Sequence, residues 1–526
     1  MKHLTLLLTV LCASGCQFVS VDDYKVCGVT VDCTPAGEDA SVEIPDAGDF
    51  DAGTDAGCVP EVLDPVDVLG RDSNCDGLDG VKARLLFVDG VRGNDALSTP
   101  GDPTKPFATL GAAFAVAAAA DAGTFDAVLV TAIAYAEPGL TWTADVDVWG
   151  GRSSDGRFSA LGPTARSSLL SDAPVGLHIR EVQGRALRNF IVRATGTPAP
   201  MQASIGVFVE RASPLLLNDE LYASAGGAGA AGGARQALPD AGPGLAGGGG
   251  VGAQTVPNDA GGLGVCGGDP GFAGGEASVS SASGHAGYGP GGGQPGENFD
   301  LDCTPPLPAQ ATAGADGAMG TSGAPGLEGT AFGTLGPGQL WLGADGQPGG
   351  VGTTGLPGSG GGAGGFVKGA MEPSSGGAGG SGGCPGVGGG AGHAGGPSLA
   401  LVVIDGRVVV GADTFLIAAN GGAAGEGAPG SVGFPGGAPG PAGPPLIGGA
   451  MTGCGAFGGG APGGRGGAGG TGGPGGGGRG GHSIAAYCGA DGGLEVMDGG
   501  TLSPGLSGTA PDGGRAGVVA ARWNCP

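Results

Sequence analysis

Ser204-Ile-Gly-Val-Phe-Val-Glu-Arg-Ala-Ser-Pro-Leu-Leu-Leu-Asn-Asp-Glu-Leu-Tyr-Ala-Ser-Ala-Gly-Gly227 decides the architecture, because the chain repeats its pattern twice more. The second copy is Ser398-Leu-Ala-Leu-Val-Val-Ile-Asp-Gly-Arg-Val-Val-Val-Gly-Ala-Asp-Thr-Phe-Leu-Ile-Ala-Ala-Asn-Gly-Gly422. The third is Ser483-Ile-Ala-Ala-Tyr-Cys-Gly-Ala-Asp-Gly-Gly-Leu-Glu-Val-Met-Asp-Gly-Gly-Thr-Leu-Ser-Pro-Gly505. Each opens with Ser and a short apolar strand, turns through a polar or glycine pair, runs a second strand and exits into glycine. A unit of roughly 20–25 residues with short strands cannot bury its own apolar face and must stack on its neighbours, which is the logic of a solenoid.

Upstream, further short strands lead into the first copy: Val128–Tyr135, Val146–Gly151, Leu177–Arg180 and Leu187–Arg193. Alternation puts Leu177 and Ile179 inward and His178 and Arg180 outward, as half-buried strands require. Before them stand Leu86-Phe87-Val88-Asp89-Gly90, Gly93-Asn94-Asp95, Lys105-Pro106-Phe107-Ala108-Thr109-Leu110 and an alanine-rich helix from Gly111 to Ala120. This order is similar to the N-terminal cap of right-handed parallel β-helix proteins of the pectin-lyase-like fold. The resemblance implies an all-β solenoid whose first rung is covered by the helix, since an open end exposes both core and strand edge. It extends over about 140 residues, from the cap through Gly227.

Between the copies lie glycine-rich stretches, 228–397 and 423–482. Both leave from the end of one copy and return at the start of the next, so they read as insertions at one corner of the solenoid. If the flanking rungs stack, each excursion must return to roughly 4.8 Å from where it left. Such length is tolerable because closure entropy grows logarithmically. Glycine recurs every third residue at Gly314, Gly317, Gly320, Gly323, Gly326 and Gly329, and again at Gly427, Gly430 and Gly433. These runs look like collagen triplets but are too short for a stable triple helix. The expectation is a disordered or polyproline II-like loop, with packed glycine-rich extended strands as the other reading.

Composition follows the same division. Of 128 glycines, 105 lie beyond residue 220, where little side-chain area offsets the cost of ordering the backbone. Net charge is −26, which argues against nucleic acid and anionic membrane surfaces as partners. The N-terminus has a basic Met1-Lys2-His3, an apolar Leu4–Leu11 too short to span a bilayer, and Ala13-Ser14-Gly15-Cys16. The last four resemble a bacterial lipobox, with Ala13 where the pattern prefers Leu; cleavage by signal peptidase I is the alternative. The resemblance implies acylation of Cys16 and a membrane partner reached through the lipid, and Gln17 in place of Asp implies the outer membrane. Residues 34–57, rich in Asp-Ala-Gly, read as an acidic tether within 17–57.

Ten cysteines remain beyond Cys12 and Cys16, an even number that argues for disulfides outside the cytoplasm. Neighbour pairing suggests Cys27–Cys33, Cys58–Cys75, Cys266–Cys303, Cys384–Cys454 and Cys488–Cys525, although spacing does not fix connectivity. Zinc is disfavoured, because no Cys-x-x-Cys is present and the five histidines are scattered. Asp72-Ser73-Asn74-Cys75-Asp76-Gly77-Leu78-Asp79-Gly80 resembles the first half of a calcium loop, with ligands from Asp72, Asn74, Asp76, the Leu78 carbonyl and Asp79. Position twelve is Ala83 rather than a closing acid, so a disulfide-pinned turn without an ion is the competing reading.

Catalytic patterns fare poorly. Gly379-Gly380-Ser381-Gly382-Gly383 matches a nucleophile elbow only because glycine runs generate it, and the strand and helix that an elbow needs are missing from the pattern. Asp172, Glu181, Asn218, Asp219 and Glu220 are the acids and amides in the rungs, with Arg180, Arg188, Arg193 and Arg211 as bases. Asn218-Asp219-Glu220 reads first as a solvated corner. The chain resembles glycine-rich β-helix lipoproteins of Gram-negative bacteria, and superficially PGRS-type glycine-rich domains. The expected organisation is signal 1–16, tether 17–57, turn module 58–80, cap and first rungs 81–227, insertion 228–397, rung 398–422, insertion 423–482 and final rungs 483–526. The expected function is a non-enzymatic cell-surface lipoprotein, structural or adhesive, whose partner is a surface glycan or another cell-surface protein. The alternative is a carbohydrate-binding or polysaccharide-cleaving β-helix protein.

Overall fold

The computed structural model describes residues 64–67, 71–74, 76–239, 241–251, 261–277, 284–297, 310–336, 341–365, 374–444, 446–447, 456–457, 459–511 and 514–526. Three all-parallel sheets of seven, six and six strands wind through them as a β-helix. A rung contributes one strand to each sheet in turn. In the first repeat these are Ser213–Leu217 to the first sheet, Glu220–Ala223 to the second and, at the head of the repeat, Ser204–Glu210 to the third. The three copies lie directly on one another, with Ser204 paired to Ser398 and Ser398 to Ser483. Leu221 likewise pairs with Leu416, and Leu416 with Leu502. Val207, Val209, Leu216, Leu221, Leu401 and Leu416 point into one interior core, all fully buried.

Each copy holds three strands where the sequence suggested two. Single residues turn the extra corners. Glu181, Arg211, Asp405 and Asp491 take φ of 50–61° at one corner, and Asn189, Asn218 and Asp413 take φ of 57–58° at the next. Short polar side chains tolerate this left-handed conformation best, because their oxygens bond the local backbone. For the same reason Leu187–Arg193 is two strands, Gln183–Arg188 and Phe190–Ala194, broken at Asn189. Val128–Tyr135 is also two, Ala127–Thr131 and Ala134–Ala136.

The one α-helix among the described residues, α1 (Leu110–Ala119), caps the solenoid. Asp95 builds its start, one carboxylate oxygen accepting from the Ala108 and Thr109 N–H groups and the other from the Thr109 hydroxyl. The Thr109 Oγ1 accepts from Ala112 N–H as N-cap, and Glu137 accepts from Leu110 and Gly111 at 2.7 and 2.8 Å. Leu110, Ala113 and Phe114 are buried, and Phe114 stacks on Trp142 of the first rungs.

All the long excursions leave from the third corner, between the second and third sheets: 224–397, 419–482 and 504–518. Their described residues are packed segments, which corrects the expectation of a disordered loop for those residues. In segment 374–396 the N–H groups of Gly377, Gly380, Gly383, Gly386 and Gly389 donate to carbonyls of Ala461, Gly464, Gly467, Gly470 and Gly473 at 2.8–3.0 Å. Those of Ala378, Ser381 and Cys384 donate to Gly248, Leu245 and Gly242, and those of Gly376 and Gly379 to Gly275 and Phe272. Donors thus point in three directions with a period of three, the signature of a threefold extended helix of polyproline II type. Carbonyls of the same segment accept from 346–361 on one side and 428–440 on another. Segment 374–396 is therefore enclosed by five others, and residues 374–386 are all buried.

The collagen-like triplets are one helix of this lattice. Gly314 through Gly329 donate at every third residue to 462–477, which runs parallel, and accept from 347–359, which runs antiparallel. Glycine is needed where helices meet: a Cβ on Gly389 would lie 1.7 Å from the Ala428 carbonyl oxygen. Between two such helices, residues 330–336 and 341–343 lie over the outer face of the third sheet. There Trp341 packs with Val175, Ile205, Phe208, Leu399, Val402 and Ile484, and Phe332 stacks between His482 and Trp523 at 4.0 and 4.2 Å. This contact seats the glycine bundle on the solenoid.

Candidate functional site

Cys16, Cys27, Cys33, Cys58 and Cys75 lie outside the described residues, as do Cys303 and Cys454. Cys266 joins Cys384, which replaces the neighbour pairings Cys266–Cys303 and Cys384–Cys454. Three-dimensional stacking of glycine helices brings together residues 118 apart in sequence, a proximity that spacing alone does not reveal. Cys488 joins Cys525 and ties the last strand, Val519–Trp523, to its neighbour Ser483–Cys488. Disulfides belong to proteins that mature outside the reducing cytoplasm. No helix among the described residues is long and apolar enough to cross a membrane.

The five residues read as calcium ligands are divided by the fold. Asp72, Asn74 and Asp76 turn their oxygens onto local backbone: Asp72 accepts from Gly77 N–H at 2.8 Å, Asn74 from Asp76 at 2.9 Å, and Asp76 from Leu78 at 3.0 Å. Asp79 faces away into the protein, where it pairs with Arg152 at 2.8 Å and accepts from Asp67 N–H at 2.9 Å. Both members of that ion pair are 2% exposed. Burial raises the Asp79 pKa, against the pull of the Asp67 N–H and Arg152. Asp79 thus serves as a buried clamp between the turn module and the first sheet. Among the described residues no group of three or more His, Cys, Asp or Glu side chains converges on a metal position.

Asn218, Asp219 and Glu220 also prove to be structural partners. Asp219 is fully buried, accepts from the Phe190 and Leu217 N–H groups, and has its pKa pushed well up by burial. Asn218 donates to Asn189 Oδ1 and the Pro163 carbonyl, while Arg166 donates to Asn218 and pairs with Glu220. The three residues hold the second corner in register from rung to rung.

Beside that corner, on the outward face of the first sheet, runs a groove of about 530 Å³. Trp149, Arg188, Asn189, Leu217, Asp413 and Met497 line it, each from a strand or corner of a different level or its neighbour. Trp149 and Arg188 are direct cross-strand partners, and the guanidinium carbon lies 5.1 Å from the indole centroid. Arg152 lies 5.5 Å from the same ring but is committed to Asp79. Among the described residues, Arg188 has no carboxylate within ion-pair distance, and its Nε and the Trp149 Nε1 are both buried without a hydrogen-bond partner. Burial lowers the Arg188 pKa, opposed by the charge of Asp219. Leaving such donors unmade costs about 1–3 kcal/mol each, so two in one concave site is a feature that packing alone does not favour. The strand carrying Trp149 was readable in the sequence, but the pairing of Trp149 with Arg188 required the register. Comparison of the chain with models of protein families, with curated proteins and with solved structures found no match.

Proposed function

We propose that this is a non-enzymatic structural or adhesive protein, held at the cell surface through a lipid on Cys16, in which the β-helix is a mount for the glycine bundle. The observation that carries the reading is the enclosure of segment 374–396 by five hydrogen-bonded neighbours. Because backbone bonds and glycine contacts hold the lattice, side chains in its outer rows are not needed for folding. Those rows are free for recognition, and they stand at a fixed repeat of about 9.3 Å, three residues at 3.1 Å each. Pro429, Val432, Pro435, Ala438 and Pro441 form one exposed row, and Pro462, Arg465, Thr471 and Pro474 lie in another.

The test combines anchoring and adhesion. Wild type should be acylated, sediment with membranes and be shaved from intact cells by protease, while Cys16→Ser should be released or unprocessed. A row variant carrying Val432→Lys and Ala438→Lys should keep the wild-type melting temperature but lose adhesion of expressing cells to partner cells or glycan-coated surfaces. Soluble, unacylated wild type would refute the anchor. Undiminished adhesion by the row variant would refute the role of the bundle face.

A further inference from the structure

We infer that the groove on the first sheet is a carboxylate-binding subsite, with Arg188 supplying the charge and Trp149 a neutral N–H donor beside it. This inference does not depend on the adhesive reading. Three observations meet there. Arg188 lies against the indole, yet among the described residues no acid forms an ion pair with it. Its Nε–H has no hydrogen-bond partner among the described residues and is shielded at rest; a carboxylate that engages it side-on, together with an adjacent Nη–H, would satisfy it. The indole N–H is a third donor, also unsatisfied, and Trp149 is 8% exposed. The groove is concave and mixes apolar surface from Leu217 and Met497 with these donors, the usual make-up of a ligand site.

Charge selects among anions. Arg152, the other cation against the ring, is paired with Asp79, so Arg188 is the groove's cation without an ion-pair partner among the described residues. Asp67 and Asp413 line it as well. A singly charged carboxylate balances Arg188, whereas a phosphate dianion would leave excess negative charge against those carboxylates, an arrangement that desolvation penalises. The same group is presented by an acidic sugar or by an acidic amino-acid side chain, and the geometry at Arg188 is common to both.

Calorimetric titration of the full chain with N-acetylaspartate amide and with glucuronate, alongside the methyl ester of each, tests the assignment. Saturable binding of at least one free carboxylate is expected, with no binding of its ester, and the tighter of the two identifies the source. Arg188→Gln should weaken binding by about tenfold or more, the loss of one charged hydrogen-bonding partner, and Trp149→Phe should weaken it less. Both variants should retain the wild-type circular dichroism and melt at or above the wild-type temperature, because each removes an unsatisfied buried donor. Absence of binding by both carboxylates, equal binding by Arg188→Gln, or inorganic phosphate binding more tightly than either carboxylate would each overturn the assignment.

Discussion

At the scale of single residues, the glycines fall into two kinds that composition cannot separate. A Cβ on Gly389 would meet the Ala428 carbonyl at 1.7 Å, while one on Gly233 meets nothing within 4 Å. Gly389→Ala should therefore destabilise by about 3 kcal/mol, the upper range for overpacking, whereas Gly233→Ala should be neutral or slightly stabilising through the unfolded state. Paired thermal melts check the contrast. Asp79 and Arg152 form a second residue-scale test. Breaking this pair from one side with Arg152→Met leaves a buried charge and should cost about 3–5 kcal/mol, while Asp79→Leu with Arg152→Met should recover most of the loss. Denaturant midpoints of the single and double variants would show whether the two effects couple.

Among elements, the contact of 330–336 and 341–343 with the third sheet has a stability that depends on pH. His482 is 2% exposed, its Nδ1 accepting from Val518 N–H at 2.8 Å and its Nε2 bonded to the Phe332 carbonyl. Burial depresses its pKa to about 4. The folded value lies below the unfolded one, so the neutral ring's contribution is complete above about pH 6.5 and is lost as pH falls toward 4, some 3 kcal/mol in all. Urea midpoints at pH 7 and 4.5 should separate more for wild type than for His482→Gln, which cannot take up the proton. How far elements could be read from the sequence follows the same physics. Strands such as Ser204–Glu210 and the cap helix announce themselves through apolar runs and turn chemistry. Corners at Asn189 or Asp413 do not, because one left-handed residue leaves no pattern. The glycine helices carry no apolar period at all, since backbone and not side chains holds them; what does show is the number of glycines per triplet. Gly-X-X at 314–329 has one half-buried row, Gly-Gly-X at 463–474 has two rows that are mostly buried, and the nearly side-chain-free 374–386 is buried on every side. The Trp149–Arg188 groove was illegible for another reason: its members are neighbours only through strand register.

For the whole molecule, the solenoid and the bundle use opposite means of cohesion. The β-helix buries Leu, Val and Ile columns and draws on the hydrophobic effect. The bundle draws on a dense set of backbone hydrogen bonds, each worth roughly 1 kcal/mol net, set against the high entropy of glycine. Reducing agent should therefore act on the two unequally. Opening the Cys266–Cys384 bridge, whose partners are 118 residues apart, releases about 4–5 kcal/mol of chain constraint. Limited proteolysis after reduction should cut first within 228–397 and leave rungs from 85 to 223 intact, with cleavage sites read by mass spectrometry.

That bridge has a meaning beyond added stability. A lattice of triplets is translationally degenerate: sliding 374–396 by one triplet against its neighbours presents glycine to glycine again along much of its length. Side chains in ordinary cores are distinguishable and veto such a slide, but here few are present to object. The Cys266–Cys384 bond makes one triplet unlike all the others. It acts as a covalent mark on a ruler whose divisions are otherwise much alike, and it adds to the register that the junction with the paired strand at Ser398 already imposes.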